Sequence, residues 1–114
     1  MESILTSIKK LLGIAEECDS FDADLIMHID SVFFVLNQLG VGPSEGFSIK
    51  DKTAVWEDFT SGTSTELVKS YVYLKVKLIF DPPAGSALIE SINRQISEFE
   101  WRLNVAVDPG KPTS

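Results

Sequence analysis

Apolar residues recur at helical spacing in four stretches of this chain, and between Gly40 and Gly62 that rhythm stops. The alternation constrains the fold more than any motif does. Four amphipathic helices must share a core, and a connection of about twenty residues must run between the second and the third.

In the first stretch Ile4, Leu5, Ile8, Leu11 and Leu12 share one face, Lys9 and Lys10 point away from it, and Gly13 ends the helix. The second helix opens after Asp19 or Ser20, either of which can cap free backbone amides. Asp22 and Asp24 then lie in the first turn, where the helix dipole favours acids. Its stripe is Leu25, Ile26, Ile29, Val32, Phe33 and Leu36, with Gly40 as the C-terminal stop. Met27, Phe34 and Val35 lie off that stripe. The helix therefore carries more apolar surface than one small core uses, and a second buried face against another subunit accounts for the excess.

From Glu66 to Phe80 two patterns compete. Tyr71 to Phe80 is rich in β-formers, with Lys75 and Lys77 alternating as they would on a strand. Thr63 and Glu66 are spaced as a capping box, however, and Leu67, Tyr71, Leu74 and Leu78 keep helical spacing, so the segment reads as a helix. Asp81-Pro82-Pro83 ends it, since proline cannot continue the hydrogen-bond ladder. The fourth helix starts near Gly85-Ser86 and turns Ile89, Ile92, Ile96, Phe99 and Leu103 inward. Glu90, Arg94, Glu98 and Arg102 alternate in sign on its solvated side.

The expected fold class is thus mainly α: a small four-helix domain over residues 1–105, followed by a disordered tail, 106–114, without apolar pattern. Within the central connection, Phe47-Ser-Ile49 and Thr53-Ala-Val55 alternate across Lys50-Asp51-Lys52, which suggests a short β-hairpin. Phe47, Ile49, Val55, Trp56 and Phe59 read as exposed apolar residues, and the expected role of this arm is a partner and oligomer interface. The competing reading folds the same residues back over the open side of the core.

Chemistry finds little purchase. With 114 residues and 44% hydrophobic content there is material for one core, and 17 acidic against 10 basic residues give a formal charge of −7. Such a surface does not grip nucleic acid, whose binding rests on Lys and Arg displacing counterions. Cys18 is the sole cysteine, so no intrachain disulfide exists; with no base or second thiol beside it, it reads as a structural thiol. The N-terminal segment lacks the unbroken apolar run of a secretory signal. No stretch approaches the ~20 apolar residues of a membrane span, so a soluble, cytoplasmically made protein with no membrane association is expected.

His28, the only histidine, sits one turn after Asp24 and reads as its pairing partner, with no nucleophile elbow or oxyanion loop nearby. Glu16, Glu17, Asp19, Asp22 and Asp24 lack the glycine and glutamate placement of a calcium loop. Gly40-Val-Gly42-Pro-Ser-Glu-Gly46 lacks the lysine of a phosphate loop. No catalytic residue, cofactor or metal ligand is assigned, and no enzymatic activity is expected.

Three segments carry a resemblance. Asp22-Ala-Asp24-Leu25-Ile26, Ala54-Val55-Trp56-Glu57-Asp58-Phe59, and Leu74-Lys-Val-Lys-Leu-Ile-Phe-Asp-Pro-Pro83 leading to Glu98-Phe-Glu-Trp-Arg-Leu103 resemble small head-tail connector proteins of long-tailed bacteriophages and of prophages in Gram-positive bacteria. The likeness spans about residues 1 to 105. It implies a helical virion adaptor at the head-tail interface that forms a ring of about twelve copies under the portal protein. The ring would extend the channel through which DNA passes without specific binding, and support a tail or head-completion protein. Residues 1–46 hold eight acids and two lysines, and part of that acidic surface would suit the channel lining. An acidic phage protein that mimics DNA to occupy a host protein is the alternative.

Overall fold

The computed structural model describes residues 2–43, 45–59 and 64–107. Five helices follow in order: α1 (Ile4–Leu12), α2 (Asp22–Gln38), α3 (Trp56–Phe59), α4 (Ser64–Phe80) and α5 (Ser86–Val107). Four of them are the expected helices, and α3 is a single turn inside the central connection. Thr63 of the expected capping box and residues 108–114 of the tail lie outside the described residues. Helix α5 itself continues past residue 105 to Val107.

Helix α4 is the hub. It packs against α2 on one side and α5 on another, with α1 and α3 also against it. Val68, Tyr71, Val72 and Val76 are its fully buried positions. Leu67, Leu74 and Leu78 are only half-buried, so the buried face is rotated from the expected stripe. A helix enclosed on several sides has no clean polar face, which is why its sequence mimics strand alternation.

The ends of α1 are locally encoded. Ser3 Oγ accepts the Thr6 amide at 3.2 Å, one of the amides that a helix start leaves free. At the other end Gly13 takes a left-handed conformation (φ 82°), its N–H bonding Lys10 O while Ile14 N–H reaches Lys9 O at 2.8 Å. Leu11, expected in the core, is half exposed at the edge of this last turn.

The N-terminus of α2 differs from expectation. Neither Asp19 nor Ser20 caps it; Phe21 occupies the cap position, which has no side-chain cap hydrogen bond. Asp19 instead closes a turn in which its carbonyl accepts the Asp22 N–H, and the Phe21 ring meets Phe80 edge-on at 5.3 Å. The dipole is served by Asp22 and Asp24 alone.

Lys9 does not point away from the core: it is 3% exposed. The turn after α1 folds over it, so that its ammonium donates to the Glu16 carbonyl at 2.9 Å and lies 2.9 Å from Asp22 Oδ1. The second contact is ionic, the fully buried carboxylate oxygen meeting the charge without hydrogen-bond geometry. A buried ammonium needs such partners, and here they fasten the α1–α2 turn.

Candidate interaction surface

The central connection is a clasp, not an arm. Trp56 (1% exposed), Phe59 and Ile49 are buried, and Phe47 and Ala54 are packed half-buried against the core. Phe33 of α2 is the anchor, with Phe47 edge-on at 5.1 Å, Phe59 at 4.5 Å and Trp56 at 6.4 Å between ring centroids. Together these rings supply much of the burial that a chain this small depends on.

Polar contacts hold the clasp in register. Trp56 Nε1 donates to Ser7 Oγ at 2.8 Å, and the Ser7 hydroxyl donates to Ile4 O, so no polar group of this buried pair is left unmet. Asp30 Oδ1 accepts the Ile49 N–H at 2.8 Å, and Asn37 Nδ2 donates to Pro43 O. Burial raises the Asp30 carboxyl above the usual range, and the Ile49 amide opposes that rise.

The expected hairpin is absent among the described residues. Val55 pairs instead with Ser3 in a single antiparallel bridge: Ile4 N–H reaches Ala54 O at 2.9 Å and Trp56 N–H reaches Glu2 O at 3.2 Å. The segment ahead of α1 offers the free backbone edge that a hairpin strand would otherwise have supplied. The expectation that Phe47, Ile49, Val55, Trp56 and Phe59 stand exposed is therefore corrected. In this conformation they meet their own chain, folded over Phe33 and the start of α1.

What stands exposed lies elsewhere. On α2, Met27 and Phe34 are 58% and 64% exposed, in line with their expected position off the core stripe. On α5, Trp101 is 67% exposed, and Leu88 in the first turn of the same helix is exposed as well. Sequence periodicity identified the α2 face. It missed Trp101, although a tryptophan directly outside the Ile96–Leu103 stripe was a signal of the same kind.

Among the described residues the titratable groups form no reactive constellation. His28 is half-buried and the expected pair with Asp24 does not form among the described residues. Cys18 is a free, half-buried thiol. The acids after α1 line a cleft together with Lys9, Lys50 and Lys52, which breaks the acidic cluster into a mixed-charge surface. No group of three or more His, Cys, Asp or Glu residues able to hold a metal exists among the described residues, and none of their helices is long and apolar enough to cross a membrane. Tyr71 donates to Glu100 Oε2 at 2.7 Å; burial, with this bond second, raises its hydroxyl far above the ordinary range. That contact ties α4 to α5.

The family model for the phage connector protein matches residues 4–110, nearly the entire chain. No curated protein and no solved structure matches the chain.

Proposed function

We propose, because this chain belongs to the phage connector protein family, that it is a structural virion protein joining head to tail. Copies of it assemble as a ring beneath the portal protein, prolong the DNA channel and present a platform to a tail or head-completion protein. The observation that carries this reading is the family match over residues 4–110.

Two physical features support it. Exposed apolar side chains on α2 and α5 offer a small protein more than one contact surface, as an adaptor between unlike neighbours requires. The charge of −7 suits a channel that DNA must traverse without being held, since few cations are present to capture phosphates. A DNA mimic needs carboxylates spread along an open surface, whereas the densest acids here are interleaved with Lys9, Lys50 and Lys52.

A closed ring that formed freely would compete with assembly on the portal, so the free chain is a monomer or weak oligomer. Gradient sedimentation of the chain alone and mixed with the portal protein of its own phage tests this. The expected result is slow sedimentation alone and co-migration with the portal in the mixture. A chain that stays slow at every portal ratio, or that leaves the portal for a host DNA-binding protein, overturns the reading.

A further inference from the structure

We infer that the ring contact joins two unlike faces of this chain, the outer face of α2 on one copy and the outer face of α5 on the next. The inference rests on the ring reading above and goes beyond it by assigning the surfaces and their register.

Helices α2 and α5 are each seated on α4. The side of α2 that faces the core carries Leu25, Ile29, Phe33 and Leu36, and Met27 and Phe34 lie about half a turn around the helix from it. On α5 the buried positions are Ile96 and Leu103, and Arg94 and Trp101 lie on the side away from them. The two exposed faces thus flank α4 and differ in composition. A head-to-tail contact between unlike surfaces is what closes a ring, whereas a single self-complementary patch gives a two-fold dimer.

Charge and spacing select the occupant and the register. Met27 and Phe34 are seven residues apart with Ser31 between them, leaving a small-residue notch flanked by two flexible or flat apolar groups. Trp101 is a large exposed ring that fits such a notch, and tryptophan and arginine are the residue types that anchor interfaces. With the two helices parallel and Trp101 over Ser31, Arg94, seven residues before Trp101, falls beside Asp24, seven residues before Ser31. Neither Asp24 nor Arg94 has an ion-pair partner among the described residues, while Arg102 already holds Glu98 at 2.8 Å. An antiparallel alignment would bring Arg94 to the neutral Gln38 instead. A second copy of this chain in the parallel register therefore satisfies both the exposed apolar groups and the two unpaired charges.

The test uses the full chain sedimented with its portal. Trp101→Ala should keep the wild-type melting temperature and weaken ring formation about 30-fold. Asp24→Arg and Arg94→Asp should each weaken it, and the double variant, which restores opposite charges, should recover most of the loss. Single variants that assemble like the wild type, or a double variant that recovers nothing, overturn the assigned contact and leave the ring reading standing. A two-fold dimer as the sole assembly also overturns it. A wild-type chain that forms no ring on the portal removes both together.

Discussion

Replacing Trp56 with alanine separates a clasp that belongs to the core from an arm reserved for partners. Trp56 is 1% exposed, and truncating a buried aromatic to alanine costs about 3–5 kcal/mol. The edge-on contact with Phe33 and the hydrogen bond to Ser7 lie within the same loss and push it to the upper part of that range. The Ser7 hydroxyl still donates to Ile4 O, so the substitution leaves no buried donor stranded. A chain of this length carries roughly 6–17 kcal/mol of stability, and about 4 kcal/mol corresponds to a fall in Tm of about 12–20 °C. Thermal unfolding followed by circular dichroism, checked by urea titration, reads this directly. Trp101→Ala is the internal control, an exposed tryptophan whose loss should stay within ~0.5 kcal/mol. If Trp56→Ala melts within a few degrees of the wild type, the clasp contributes little and the packing described for it is wrong.

Gly42→Ala should destabilise by about 2 kcal/mol or more, since φ is +86° there and a Cβ would sit 2.3 Å from Phe59 Cε1; Gly13→Ala, also left-handed but facing open space, should cost less in the same urea titration. Asp30 has a raised folded-state pKa, so its contribution is fully present below the unfolded carboxylate pKa and is lost as pH rises through the folded value. Asp30→Asn, which keeps an oxygen for the Ile49 N–H, should accordingly equal or exceed the wild type in stability at neutral pH, with the gain vanishing in acid, whereas Asp30→Ala should be less stable at both. Removing Trp101 by change to phenylalanine should leave a blue emission shielded from acrylamide, and removing Trp56 the same way should leave a red, quenchable one.

Helices were legible where one face alone is buried. The stripe of α2 was read almost residue for residue; of its three leftovers Met27 and Phe34 are exposed, whereas Val35 is half-buried. Legibility fell where burial has several directions, as on α4, whose Val68, Val72 and Val76 serve neighbours that spacing alone does not reveal. Local pattern left the clasp undecided between fold-back and docking. Trp56 finds its partner at Ser7 and Ile49 finds its own at Asp30, and no short-range rule encodes pairs that distant. An aromatic on a long connection is equally consistent with docking and with a fold-back until the uncovered side of the core is known. Lys9 failed for a related reason, because its buried partners come from the turn that follows the helix.

The central claim is a joint between head and tail, and the phage that encodes this chain tests it most directly. A stop codon early in its gene, with the lysate viewed by electron microscopy, should yield separate DNA-packaging heads and free tails, rejoined when the purified chain is added back. Intact, infectious virions made without the chain would contradict the account.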